Sequence, residues 1–98
     1  MAEFTVTSSE LTNKANELER LNNQLQQKIQ FLESEEGSLS SMWEGDSHDA
    51  FSSSFKTDKA KMTLFHAEIA KYVSSLRVIA AKYEVAERTN VATASSSN

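Results

Sequence analysis

Few residues in this 98-residue chain have types and spacing that suit chemistry. The run Ser53-Ser54-Phe55-Lys56 matches Ser-x-x-Lys, the nucleophile pattern of penicillin-binding enzymes, but the companion Ser-Asp-Asn and Lys-Thr-Gly elements are absent. His48 lies among Glu44, Asp46 and Asp49, an arrangement far more typical of a solvated histidine than of zinc, which needs three or four convergent ligands. The sequence therefore predicts a non-enzymatic protein with no catalytic, cofactor-binding or metal-binding residues.

The amino-acid composition further limits the class of protein. Hydrophobic residues make up 39% of the chain and charged residues 24%, close to the averages of globular domains. The length allows one domain, and the net charge of −4 argues against a nucleic-acid binder, which usually has a basic face. The chain has no cysteine, so it forms no disulfide framework. These values predict a single globular domain with no nucleic-acid partner.

The N-terminal residues and the hydropathy of the chain indicate whether it has a signal peptide or a membrane-spanning segment. The first seven residues have no basic region and no apolar run, which predicts that there is no cleavable signal peptide. No segment approaches the ~20 consecutive apolar residues that span a bilayer. The predicted helices also lack a strongly basic polar face, so we expect no stable membrane insertion.

The tripeptide Trp43-Glu44-Gly45 is placed near the middle of the chain, between two long helical patterns. Trp43 is the only tryptophan, Gly45 is one of two glycines, and there is no proline. Gly45 is therefore the strongest signal for a reversal of the chain. The pattern predicts a helix-turn-helix hairpin with an aromatic plug at its bend, at residues 43–45.

The first helix is expected at about residues 7–42. Thr7 is a suitable N-cap with Glu10 at the third helical position, as in a capping box. Polar Asn22 interrupts the apolar pattern, and such a residue fixes the register of pairing at some cost in stability. The apolar residues recur every four or three positions and form the first half of a predicted seam: Leu11, Ala15, Leu18, Leu25, Ile29, Leu32 and Leu39.

The second helix is expected at about residues 46–88, with Asp46 as its N-cap. After Arg88 the periodicity is lost, so residues 89–98 are predicted to be a disordered tail. The hairpin domain would then comprise residues 1–88. The second half of the seam follows the same spacing: Phe51, Phe55, Met62, Phe65, Ile69, Tyr72, Leu76, Ile79, Tyr83 and Ala86.

The second helix also has apolar residues away from this seam, at Leu64, Val78 and Val85. A single hairpin buries only one stripe of each helix, so a second hairpin is expected to pack against the first. The predicted fold is all-α, a hairpin that dimerises into an antiparallel four-helix bundle. A homodimer is the simplest arrangement, and a hetero-partner of similar length is the alternative.

Near the end of the second helix, Tyr83 and Glu87 are spaced i,i+4 and so share one helix face. On spacing alone, the pair is a core tyrosine followed by a solvated glutamate. A functional interpretation makes it a hydroxyl-bearing ring presented beside a carboxylate, forty residues after the tryptophan motif.

These two motifs together resemble the WXG family of small early-secreted-antigenic-target (Esx-like) proteins. Family members follow the Trp-x-Gly bend with small residues and an aromatic residue, as Ala50-Phe51 does here, although Ser47 stands where alanine is common. Tyr83 with Glu87 is similar to the family's Tyr-x-x-x-Asp/Glu export signal, with Glu in place of the commoner Asp. The resemblance covers nearly the whole chain.

This resemblance implies a virulence-associated protein of a Gram-positive bacterium, exported folded and as a dimer by a type VII (Esx) secretion system. The cytoplasmic protein would be recognised by the membrane ATPase of that system through Trp43, Gly45, Tyr83 and Glu87. It would then act outside the cell as an effector or a co-secreted partner. Antiparallel packing would bring Trp43 of one copy to Tyr83 and Glu87 of the other. The alternatives are an intracellular adaptor or chaperone for a larger type VII toxin, and a generic coiled-coil scaffold.

Overall fold

Two antiparallel helices form the molecule. The structure, a computed structural model, describes residues 6–96, in which α1 (Ser8–Ser40) and α2 (Asp46–Ser96) are joined by a five-residue bend. The hairpin measures 80 × 24 × 19 Å, and the predicted all-α hairpin is confirmed. Neither described helix is long and apolar enough to cross a membrane. Residues 1–5 of the predicted domain, and residues 97 and 98 of the predicted tail, lie outside the described residues.

Local hydrogen bonds define where the helices begin. The Thr7 hydroxyl oxygen accepts a 3.1 Å bond from the Glu10 amide, so Thr7 is the N-cap of α1. At the start of α2, the Gly45 carbonyl accepts the first helical bond, from the Asp49 amide at 3.1 Å. Gly45 therefore occupies the N-cap position for which the sequence indicated Asp46. Asp46 lies in the first turn, where its charge is favourable to the helix dipole.

The structure corrects the prediction of a disordered tail from residue 89, because α2 continues through Ser96. The extension has local causes. Arg88 pairs with Glu84 one turn earlier, and the Thr89 hydroxyl donates to the Val85 carbonyl at 2.9 Å. No proline or glycine interrupts the segment. Since Glu87 lies opposite the start of α1, α2 extends about 14 Å beyond its partner helix.

The core between the helices is narrow and contains small side chains. Ala15 and Ile29 of α1 and Val73 and Ala80 of α2 are its buried apolar residues, and no large side chain among the described residues is fully buried. Eight predicted seam residues flank this row and are half-buried: Leu11, Leu18, Leu25, Leu39, Phe55, Met62, Ile69 and Leu76.

The α2 stripe that faces α1 is not the one the apolar pattern predicted. The pattern predicted that Phe65, Tyr72 and Ile79 would face α1. Instead the residue after each of them faces α1: half-buried His66 and buried Val73 and Ala80. The more apolar predicted row is turned outwards by ~100°, the rotation of one helical residue. It joins two exposed leucines of α1 in a surface that we name the open face: Leu21, Leu32, Phe51, Phe65, Tyr72 and Ile79.

Both parts of the open face lie on one side of the hairpin. On α1, Leu32 is displaced from the buried Ile29 by a backward rotation of ~60°, and on α2 Tyr72 is displaced from Val73 by one of ~100°. Because the helices are antiparallel, rotations of equal sense move both rows to the same side. The hairpin therefore has an apolar side that it does not cover itself.

The opposite side is polar and contains interhelical bonds. Arg77 donates from Nη1 to Asn16 Oδ1 at 3.0 Å and from Nη2 to Glu19 Oε2 at 3.1 Å. Lys59 forms an ion pair with Glu33 further along the hairpin. Exposed pairs of this kind contribute little stability individually, but they fix how the two helices are aligned.

Asn22 is the buried polar residue of the described core, with 5% of its surface exposed. Its Nδ2 donates a 3.0 Å bond to the His66 carbonyl, while its Oδ1 is buried without a hydrogen-bond partner. Asn22 thus forms one hydrogen bond across the seam, but its side-chain oxygen is left without a donor. The arrangement has the features of a residue that selects register at the expense of stability.

We predict that Asn22→Leu raises the free energy of unfolding by about 1 kcal/mol, because it removes the unpaired acceptor and fills the seam with apolar volume. Urea unfolding at fixed protein concentration measures the change. Asn23→Leu, at the neighbouring exposed position, is the matched control and should stay within about 0.5 kcal/mol of wild type. Destabilisation by Asn22→Leu would show that the bond to His66 outweighs the unpaired oxygen.

Candidate functional site

At the bend, Trp43 is half-buried against the first turns of α2. Its ring meets His48 edge-on, with centroids 5.7 Å apart, and lies 5.6 Å from Phe51 at a tilt of 43°. Phe51 in turn stacks on Phe55 at 6.4 Å. Such aromatic contacts contribute beyond the area they bury. The sequence-predicted aromatic plug is thus a ladder along α2 that ends at Trp43.

A hydrogen-bonded network, which the sequence reasoning missed, connects this ladder to α1. Glu36 Oε1 accepts bonds from the Ser40 hydroxyl at 2.9 Å and the Ser52 hydroxyl at 3.1 Å. Ser40 Oγ lies 2.8 Å from His48 Nε2, and since its own proton goes to Glu36, it accepts from the imidazole. His48 is therefore a half-buried structural residue that supports Trp43. In the sequence, this network is indicated by Glu36, a polar residue between Leu32 and Leu39 where the seam spacing expects an apolar one.

Gly45 permits the turn itself. Its φ is +114°, a conformation that side-chain-bearing residues rarely adopt. A Cβ added at this position would meet no atom within 4 Å. The requirement for glycine is therefore conformational, and crowding does not contribute.

At the opposite end of the hairpin, Tyr83 is 43% exposed and Glu87 is half-buried. Glu87 does not have the solvated position that spacing alone suggested. Its Oε1 accepts the Ser8 amide proton at 2.7 Å, and its Oε2 accepts the Ser8 hydroxyl proton at 2.8 Å. Because Ser8 is the first residue of α1, Glu87 caps the N-terminus of the other helix across the hairpin.

These bonds stabilise the ionised carboxylate. The backbone amide of Ser8, followed by its hydroxyl, lowers the pKa of Glu87 below 4.5, while partial burial opposes the shift. The positive end of the α1 dipole acts in the same direction as the hydrogen bonds. Arg88 does not contribute to this site, because it pairs with Glu84.

The structure does not bring the two predicted motifs together within one chain. Trp43 and Glu87 lie at opposite ends of the hairpin, and the helical rise of forty-one residues from Asp46 to Glu87 separates them by roughly 60 Å. Within residues 6–96, no three His, Asp or Glu side chains converge as a metal site would require. The two motifs are therefore separate surfaces at the two ends of one hairpin.

The family model described as proteins of 100 residues with WXG matches residues 3–88. Among solved structures, the selenomethionine-labelled secreted protein EsxB from Bacillus anthracis strain Sterne is 26% identical, with a TM-score of 0.77. That match covers 89% of this chain and 99% of the EsxB chain. A wild-type EsxB structure is 28% identical, with a TM-score of 0.75 over 85% of this chain and 89% of that chain. A comparison with curated proteins gave no match.

We predict that Glu87→Gln lowers the free energy of unfolding at neutral pH but not at a pH well below 4.5. The pKa of Glu87 is lower in the folded protein than its ordinary value of 4.5. The carboxylate therefore stabilises the fold above pH 4.5, and this contribution is lost as the pH falls through the folded pKa. Urea unfolding at both pH values tests the prediction.

Glu84→Gln is the matched control, because Glu84 pairs only within its own helix in the contacts described. Its free energy of unfolding should follow that of wild type in parallel across the pH range. Equal pH dependence in Glu87→Gln and wild type would contradict the cap.

Proposed function

Because the chain belongs to the WXG100 family, we propose that it is a small helical protein exported folded, as a dimer, by a type VII (Esx) secretion system. The observation that carries the proposal is its similarity to EsxB, a protein described as secreted, over 99% of that chain. It acts by binding, without catalysis, as a secreted effector or a co-secreted partner. Before export it resides in the cytoplasm.

The exposed surface supports a dimer. The chain has 7641 Å² of accessible surface, whereas a compact monomer of 10.9 kDa has about 5,600 Å². Part of the surplus comes from the elongated shape, and the open face adds apolar surface to it, with Phe65 59% and Tyr72 64% exposed. Contiguous apolar surface of this kind is typical of an interface. A second copy that presents the same face would complete an antiparallel four-helix bundle.

Two-fold symmetry constrains how the copies meet. If the bend of one copy lies at the open end of the other, the axis crosses α2 midway between residues 43 and 87, at residue 65. Phe65 would then face its own counterpart, as residues on the axis of an isologous interface do. Trp43 of each copy would approach Tyr83 and Glu87 of the other. Both ends of the dimer would thereby carry a composite recognition surface.

This surface is the element that we expect the type VII membrane ATPase to recognise. It would require an intact dimer, because one hairpin holds its two motifs roughly 60 Å apart. The same requirement makes export depend on folding. Dimer-breaking substitutions should therefore reduce secretion even where the motifs themselves are unchanged.

We predict that Phe65→Glu converts the dimer to a monomer. The substitution places two carboxylates face to face at the proposed axis, where repulsion and desolvation both oppose association. Light scattering measures the molar mass, and circular dichroism reports whether the helices persist.

Leu64→Glu is the matched control. Leu64 is 67% exposed, but it lies ~100° round the helix from Phe65 and away from the open face. This variant should remain dimeric, because the proposed interface is the open face and not the side of Leu64, Val78 and Val85 that the sequence indicated. A dimeric Phe65→Glu protein, or a monomeric Leu64→Glu protein, would place the interface elsewhere. A monomeric wild type would instead indicate that a hetero-partner of similar length covers the open face.

We predict that Trp43→Ala, Gly45→Ala and Tyr83→Ala each reduce secretion while the protein stays folded and dimeric. Immunoblots of culture supernatant and cell pellet measure export, and purified variants are checked by circular dichroism and light scattering. Gly45→Ala forces alanine to a positive φ, at a cost of roughly 1–2 kcal/mol. Its fold therefore needs the closest inspection.

Leu64→Ala is the control for this series, because it removes an exposed apolar side chain outside both motifs. It should be secreted at the wild-type level. Retention of the wild type in the cell, or loss of export only in unfolded variants, would favour the intracellular adaptor for a larger type VII toxin.

A further inference from the structure

We propose that Ser8 is a third member of the C-terminal motif, a positioning residue that holds the Glu87 carboxylate beside Tyr83. The motif is then complete only when the start of α1 is packed against α2. Neither the Trp-x-Gly pattern nor the Tyr-x-x-x-Glu pattern includes Ser8, which precedes Glu87 by 79 positions. The inference rests on the proposed function, since it concerns how the export motif is presented.

The contact fixes the carboxylate at two points. The Ser8 amide and hydroxyl bind different oxygens of Glu87, at 2.7 and 2.8 Å, so the plane of the carboxylate is set by α1. Hydrogen bonds to an ionised acceptor are stronger than those between neutral groups. A glutamate side chain on α2 alone would sample several rotamers. Ser8 selects one of them.

The cap orients Glu87 and leaves it able to bind. A carboxylate offers about four lone-pair sites, and Ser8 uses one on each oxygen. The side chain is half-buried, and Tyr83 one turn earlier remains 43% exposed. A donor on a receptor could therefore contact the Tyr83 ring and the free lone pairs of Glu87 together. A receptor that reads this arrangement reads a folded hairpin, because α1 must be in place to supply the bonds.

Because Ser8 is the first residue of α1, a proline substitution can remove its bonds to Glu87 without disturbing the helix. Proline is favoured at the first helical position, where the amide has no partner within the helix. Thr7 already has φ −97° and ψ 159°, the extended conformation that a residue before proline prefers. Ser8→Pro therefore removes both donors to Glu87 while it preserves the Thr7 cap. Ser8→Ala removes only the hydroxyl, and Ser9→Ala is the matched control.

Two measurements on the full chain test the proposal. The first follows the Glu87 carboxyl carbon by NMR during a pH titration of wild type and each variant. The second quantifies secretion of the same variants, with Tyr83→Ala included and with folding and dimerisation checked as above. We expect Ser8→Pro to raise the pKa of Glu87 towards 4.5 and to reduce secretion several-fold. Ser8→Ala should give a smaller change in both, and Ser9→Ala should match wild type.

Each contrary outcome identifies what has failed. Wild-type or greater secretion of Ser8→Pro would overturn the positioning role, and so would an unchanged pKa of Glu87. If Ser8→Pro does not fold, Ser8→Ala decides the question by the same two criteria. Retention of wild type, or normal export of Tyr83→Ala, would overturn the proposed function, while the titration would still show whether Ser8 holds Glu87.

Discussion

The rest of this structure depends on one constraint: two helices side by side can cover only one narrow stripe of each other. α1 and α2 use that stripe for small or polar residues, with Ala15, Asn22 and Ala80 among the most buried. The larger apolar side chains, such as Phe65 and Tyr72, are left on the open face. A hairpin with so little buried volume has a weak hydrophobic drive of its own. A partner that covered the open face would therefore add to its stability.

Because the apolar contacts within the hairpin are few, polar contacts have to define its alignment. Asn22 bonds to the His66 carbonyl near the middle, Arg77 joins Asn16 and Glu19 towards the open end, and Glu36 accepts two serine hydroxyls near the bend. Hydrogen bonds are directional, whereas apolar burial is not. A shift by one helical turn would break all of these bonds together. Register is thus set by polar groups, while the larger apolar side chains of the open face take no part in it.

The sequence predicted the hairpin and the Thr7 cap, because these follow from local periodicity and capping chemistry. It misplaced the inner stripe of α2. Phe55, Met62, Ile69 and Leu76 lie on the border between two possible stripes, and the apolar pattern favours the row that contains Phe65 and Tyr72. The hairpin buries the less apolar row instead, which contains His66, Val73 and Ala80, and leaves Phe65 and Tyr72 exposed. The periodicity of a sequence shows how apolar residues are distributed round one helix. It does not show which side of that helix the partner helix contacts.

Glu87 shows the same limit at the motif itself. On α2 alone, Tyr83 and Glu87 form an i,i+4 pair on one face, and no local signal distinguishes a solvated carboxylate from a cap. The donor is at Ser8, and only the antiparallel pairing of the helices brings it within 2.7 Å. What reads as a linear pattern of five residues is therefore a tertiary feature that joins both ends of the chain. A secretion system that admits folded substrates would gain from such a motif, because its geometry exists only after the hairpin has closed.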